Sequence, residues 1–215
     1  MRYLTIARDG EVEIEVKRSR FRCTLERVAE EYQARALVER LRKEHWDARH
    51  HCSAFVLGPP PGPVERSSDD GEPAGTAGAP MLEVLRGHPG PEPGLRGVSD
   101  VVAVVTRWFG GTKLGAGGLV RAYSEAVRTA LESVGTLPRE LVRDYTLITA
   151  HDTAGRLETD LRTAGVVVLG TEYAADVVLR IGAPPEEETR LAALVAELSA
   201  GSASLVAGED RWVDR

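Results

Sequence analysis

Cysteine, methionine and aromatic residues are scarce in this 215-residue chain: two Cys, two Met, and aromatics at 5%. Two cysteines, Cys23 and Cys52, cannot build a disulfide framework, so stability must come from a core and a reducing cytoplasm is the expected compartment. Long apolar runs are missing too. The stretch Val101–Val105 is far below the ~20 residues that span a bilayer, which excludes a transmembrane helix, and no membrane partner is expected. Residues 1–10 carry no apolar core behind a basic start, so no secretory signal is expected. Nor is the composition extreme: 42% hydrophobic and 28% charged residues exclude disorder, collagen-like repeats and coiled coil. The length suits one or two domains with a real core.

The formal charge of −6 argues at first against a polyanion partner, but a net charge does not say where charges sit. Residues 1–138 hold 19 basic and 19 acidic side chains, and residues 139–215 hold 8 and 14. The imbalance therefore lies in the last third. Glycine and proline are uneven as well, with 14 of 22 glycines and 9 of 12 prolines between Gly58 and Gly118. Both are costly inside helices and strands, so this middle third is rich in shaped loops.

Val12, Ile14 and Val16 alternate with glutamates at the period of a half-buried strand, and Asp9-Gly10 predicts a hairpin pairing it with Tyr3–Ala7. A third strand is expected around Phe21–Leu25. Ala34, Leu37, Val38 and Leu41 fit one face of a helix over 30–46. His51–Leu57 reads as a strand, 59–75 as a long loop, and Thr76 or Gly78 as the start of a short helix with Pro80 in its first turn. Val98–Thr106 reads as a strand buried on both faces, followed by a glycine loop and a helix from about Leu119 to Val134. Gly135 and Pro138 mark a domain boundary. Beyond it the order is β-α-β-β-α-β, predicting a ferredoxin-like domain over 139–215 and an α+β chain overall. Glu186–Glu188 read as a solvated, dipole-favoured helix start.

Three clusters could carry chemistry. The first is Arg107-Trp108-Phe109-Gly110-Gly111-Thr112-Lys113-Leu114-Gly115-Ala116-Gly117-Gly118. It stands between a strand and a helix, where backbone N–H groups can cradle an anion. Thr112 precedes Lys113 instead of following it, and the third glycine of a dinucleotide fingerprint is absent, so no standard nucleotide motif is present. From Arg96 to Arg128 the local balance is +3. Arg107, Trp108, Lys113 and Arg121, with the backbone at Gly110, Gly111, Gly115, Gly117 and Gly118, suit nucleic acid or another anion. Alternatively, Trp108 and Phe109 are core residues and the glycines only shape a turn. The second cluster is Asp69, Asp70 and Glu72. It could hold a hard cation, but EF-hand spacing is missing, and Asx turns with Thr76 as a helix cap explain it more simply. In the third, His45, His50, His51 and Cys52 invite a zinc or nucleophile reading. On a strand, however, His50 and Cys52 face one way and His51 the other, and an inert buried thiol fits better. Neither metal nor cofactor is expected.

In order, Ala48–Phe55, Ser68–Pro80 and Val104–Tyr123 resemble the Impact family, called the YigZ family in bacteria. Three ordered blocks are specific, and they cover most of residues 20–135. The sequence departs from the family pattern at Trp108, often Tyr or Phe, and at His51, often Asn, which argues against His51 as a metal ligand. The resemblance implies an N-terminal domain with a left-handed βαβ crossover like domain IV of elongation factor G, and a C-terminal domain like its domain V. Eukaryotic relatives regulate translation by binding the activator of a starvation-responsive initiation-factor kinase. Bacteria lack that pathway, so a general role near translation or RNA is what carries over, with no catalytic residue set. The expectation is a non-enzymatic module that meets RNA, a ribosome or a translation-linked protein through residues 107–121. Its acidic C-terminal domain would face protein more readily than RNA. The rival expectation is an enzyme or binder of a phosphorylated small molecule, using the Gly115–Gly118 helix start with Asp69, Asp70 and Glu72.

Overall fold

The computed structural model describes all 215 residues, which divide into two compact units, Arg2–Pro138 and Arg139–Arg215, with Met1 grouped with the second. No helix is long and apolar enough to cross a membrane.

The first unit is built on a five-stranded antiparallel sheet. Its strands are β2 (Gly10–Val16), β3 (Ser19–Arg27), β4 (His50–Leu57), β5 (Val64–Ser68) and β6 (Val101–Trp108), in the order β2-β3-β6-β4-β5. The near-continuous valines of β6 follow from its central place. Val101, Ala103 and Val105 pack under α2 (Gly78–Gly87) and α3 (Ala116–Val134), while Val102 and Val104 pack under α1 (Glu31–Glu44) on the other face.

This layout fixes the hand of its crossovers. The connection β3-α1-β4 moves two places along the sheet, and β5-α2-β6 moves two places back along strands of the opposite direction. Their helices lie on opposite faces. Turning the sheet half a revolution in its plane superimposes strand direction and step but leaves the faces exchanged. The two crossovers therefore have opposite hands, and one is left-handed, against the usual rule for such units.

Two expectations for this unit need correction. β2 pairs with β3, not with the first strand β1 (Arg2–Ile6). The turn is Lys17-Arg18, both at positive φ, because Val12, Ile14 and Val16 must lie over the core beside Phe21 and Cys23. β1 instead bridges Val98 through Leu4, and Asp9 accepts a hydrogen bond from the Arg27 N–H at 2.8 Å. The supposed long loop contains β5, a short polar edge strand whose exposed side chains leave no hydrophobic alternation to read.

The second unit has the order β7 (Thr136–Thr149), α4 (His151–Thr163), β8 (Val167–Tyr173), β9 (Val177–Ala183), α5 (Glu188–Leu198) and β10 (Ser204–Asp214). Its strands pair β10-β7-β9-β8, all antiparallel, which is the ferredoxin-like split βαβ arrangement. Leu147, Leu157, Leu161, Leu179 and Ile181 form its core with helix residues Leu191 and Val195. A 3-10 turn, Pro185–Glu187, precedes α5.

Candidate functional site

The three sequence clusters meet in the first unit around one buried carboxylate. Glu72 Oε1 accepts hydrogen bonds from the Tyr123 hydroxyl at 2.8 Å and from Arg107 Nη1. The Arg107 guanidinium lies 5.2 Å from the Phe21 ring centre and 5.7 Å from that of Phe109, and its Nε is buried without a partner. Cys52 Sγ sits 3.0 Å from the Asp69 carbonyl oxygen and 3.3 Å from the Tyr123 hydroxyl oxygen. Burial, reinforced by the carboxylates of Glu72, Asp70 and Asp69, pushes this thiol up to about 12, so it stays protonated and is no nucleophile. Burial likewise raises Tyr123, helped by Cys52 and Glu72, which keeps its hydroxyl a donor.

Around Glu72 the loop is held by its other carboxylates. Asp69 accepts from the N–H groups of Gly75 (2.7 Å), Ala77 (3.0 Å) and Gly78 (2.8 Å), capping α2. Partial burial opposes ionisation of Asp69, yet these three bonds outweigh it and hold the carboxyl below its ordinary range. Thr76 is therefore not the cap; its hydroxyl donates to the Pro73 carbonyl at 2.6 Å. Gly78 is required here, since a Cβ would stand 2.7 Å from the Ser68 nitrogen. Asp70 binds Arg42 Nη2 and the His51 N–H, each at 2.6 Å, and its carbonyl lies 2.8 Å from His50 Nδ1. His50 and Cys52 do share one face of β4, but each bonds the 69–70 loop and not the other. No group of three or more His, Cys, Asp or Glu side chains is placed to hold a metal.

Arg107 is the main correction among the basic residues. Its place in the basic cluster predicts a surface residue, but Arg107 is buried, because the alternation that sends Val105 into the core sends Arg107 the same way. Arg128 is paired with Glu125. Lys113 and Arg121 are exposed, as are the backbones of Gly111, Gly115 and Gly117. α3 starts at Gly115 with no side-chain cap. Phe109 is 44% exposed and is not a core residue, while Trp108 is half-buried.

Sequence reasoning missed the second half of this surface, the β2–β3 hairpin tip. Gly110 packs on it so closely that a Cβ would lie 2.0 Å from the Arg18 carbonyl carbon. The Gly110 N–H donates to Ser19 Oγ at 3.1 Å, and Arg18 Nη2 to Thr112 Oγ1 at 3.1 Å. Lys17 and Arg121 line a groove of about 680 Å³ with Leu114 and Gly118. Exposed cations from the hairpin and from the glycine loop thus share one edge. The signal available in sequence was the adjacent pair Lys17-Arg18 itself, which lacks the Asn-Gly chemistry of a two-residue turn.

Fold and site together define a two-domain α+β protein in which a buried Glu–Arg pair ties the 69–78 loop to the end of β6, beside a glycine loop. Residues 17–131 match the Impact N-terminal domain and residues 147–202 a domain of unknown function, DUF1949. The chain is 37% identical to the IMPACT family member YvyE of Bacillus subtilis (strain 168) over 213 residues, covering 99% of this chain and 94% of that protein. It is 40% identical to the IMPACT family member YigZ of Escherichia coli (strain K12) over 197 residues, covering 91% and 93%. A crystal structure of a hypothetical protein superimposes with a TM-score of 0.61 at 39% identity, covering 97% of this chain and 98% of that one. The chain belongs to the Impact family.

Proposed function

We propose that this protein is a non-enzymatic module of the translation machinery that meets RNA or the ribosome through the glycine loop and hairpin tip of its first unit. The observation that carries the reading is the shared edge of Lys17, Arg18, Lys113 and Arg121, held against the backbone of Gly110–Gly118. Buried Arg107 and Glu72 act there as positioning residues: they fix the sheet end from which the loop departs. Family membership supports a partner linked to translation. The second unit, with 14 acidic against 8 basic side chains, suits a protein neighbour better than a polyanion. Hydrogen bonds and ion pairs within the fold already engage Asp69, Asp70 and Glu72, which supports the RNA reading over the small-molecule alternative.

The test is co-sedimentation with ribosomes and with total RNA at low and high salt. Binding should fall steeply with salt, and Lys113→Ala/Arg121→Ala should lower the salt slope by roughly one to two units. Binding indifferent to both changes would remove the reading. Nuclease treatment of a native pull-down separates RNA-borne partners from a translation-linked protein.

A further inference from the structure

We infer that the cavity between α1 and the β4–β5 pair binds the phosphate group of a small organic phosphate monoester. This is a second site, apart from the RNA edge proposed above, and no reaction is assigned to it.

Alternation and register build its strand wall. His51, Ser53 and Phe55 point to the α1 side of β4, because Cys52 and Ala54 go into the core on the other face. Ser68 stands directly opposite Ser53, and Arg66 opposite Phe55, so these β5 side chains share that face. Val38 and the arginines Arg35 and Arg42 line the cavity from α1. The enclosed volume is about 450 Å³, within the range of small-molecule pockets.

The arginines are not equivalent. Arg35 is paired with Glu31, and Arg42 with Glu39 and Asp70. Arg66 has no carboxylate; its Nη1 donates to the Glu65 carbonyl at 2.9 Å, while the Glu65 carboxylate is taken by Arg86. The Nε–Nη2 edge of Arg66 is therefore left as a two-donor fork for an oxyanion. Beside it, the half-buried Ser53 hydroxyl makes no hydrogen bond within the fold. Ser68 Oγ accepts from the Asp70 N–H at 3.3 Å, which leaves its own proton to give. His51 lines the same cavity, is 5% exposed, and has an Nε2 without a hydrogen-bond partner. Buried polar groups are rarely left unsatisfied, so this cavity holds donor capacity that the fold does not use.

The arrangement also selects the ligand. Donors gather on the strand wall, while Val38 and Phe55 offer an apolar floor to an organic body. A carboxylate could take the Arg66 fork but would leave the serines without an acceptor. A phosphate monoester carries three free oxygens and close to two charges at neutral pH, which matches a fork and two hydroxyls. A phosphodiester within a chain has only two free oxygens and must leave the cavity at both ends. Glu39 is the one carboxylate on the lining, and its bond to Arg42 at 2.9 Å neutralises it.

The experiment titrates the full-length protein with phenyl phosphate, inorganic phosphate and benzoate, followed by calorimetry and by amide NMR shifts. Phenyl phosphate should bind most tightly, with shifts centred on β4, β5 and α1. Inorganic phosphate should bind about 10-fold more weakly for want of the apolar contact, and benzoate should be weakest. Arg66→Gln should weaken phenyl phosphate roughly 10- to 100-fold and Ser53→Ala roughly 3- to 10-fold. Arg66→Lys should recover part of the loss, since it restores charge without the fork. Unchanged melting of the variants checks that folding is intact. Lys113→Ala/Arg121→Ala should leave phenyl phosphate binding as it was. No binding of phenyl phosphate, or binding indifferent to Arg66→Gln and Ser53→Ala, overturns this site and leaves the RNA reading standing. Inorganic phosphate binding as tightly as phenyl phosphate overturns the organic ligand. Displacement of phenyl phosphate by total RNA gives the cavity to the polynucleotide and overturns the separate site.

Discussion

The two units solve the same problem, a sheet covered by helices, with opposite interiors. Ten of the eleven buried polar or charged residues lie in the first unit, and the second has only Thr149. The core of the second is aliphatic with one tyrosine, Tyr145, and its charges stay outside, as where Arg143 bridges Glu188 and Asp210 at 2.6 Å each. A buried ion pair seldom adds net stability over well-packed apolar groups, because desolvation offsets the attraction. What Glu72, Arg107 and Tyr123 contribute is position: they tie a loop, a sheet end and a helix into one arrangement. The apolar unit carries no such constraint.

The largest effect expected from this contrast comes from Glu72→Ala. It leaves Arg107 buried and unpaired, and should cost the first unit about 3–5 kcal/mol in urea or thermal unfolding. Arg143→Ala, which breaks the exposed cluster of the second unit, should change little. Similar losses from the two would end the distinction. Glu72→Leu/Arg107→Met sharpens it further: stability should recover, while amide exchange in residues 69–78 stays faster than in the wild type. Next in size is Asp69→Ala, which removes the cap of α2 and should cost about 1–2 kcal/mol. Because the folded Asp69 pKa is depressed, this contribution is present above the ordinary carboxylate range and is lost as pH falls through it toward the folded value. Asp69→Asn should flatten that acid limb. His51 acts at higher pH. Burial lowers its pKa, with Asp70 opposing, so it takes up a proton less readily folded than unfolded. Stability of the first unit should therefore decline as pH drops from about 7 through the ordinary histidine range near 6.5. His51→Asn should shrink that decline and leave the part that His88, also lowered by burial, contributes.

Periodicity carried most of the architecture. The valines of β6 announced a strand buried on both faces, and the element order of the second unit sufficed for its fold because its core is almost wholly apolar. Partners were harder to read. Strand alternation places Arg107 on the core face with Val101, Ala103 and Val105, so its burial was legible in the sequence, but the local charge count hid it. Glu72, its partner, lies 35 residues away, and no local spacing connects the two. Asp9-Gly10 has the chemistry of a hairpin turn and Lys17-Arg18 does not, yet the chain turns at Lys17-Arg18. Core placement of Val12, Ile14 and Val16 outweighed that local preference.

The same turn supplies the smallest and most pointed prediction. Lys17 (φ 49°) and Arg18 (φ 65°) both occupy left-handed backbone that costs a non-glycine residue roughly 1 kcal/mol or more. Asn-Gly at these positions fits the two-residue hairpin without that strain. Lys17→Asn/Arg18→Gly should raise the stability of the first unit by about 1 kcal/mol, measured by urea unfolding. It also deletes two cations and the Arg18–Thr112 contact from the proposed RNA edge. Salt-dependent RNA binding should therefore weaken as stability rises, with a salt slope lower by up to about two units. Stability and binding moving in opposite directions would mark Lys17-Arg18 as a strained turn retained for its charges. A variant that gains stability and binds RNA as before would move the contact surface away from the hairpin tip, leaving Lys113 and Arg121 to carry it.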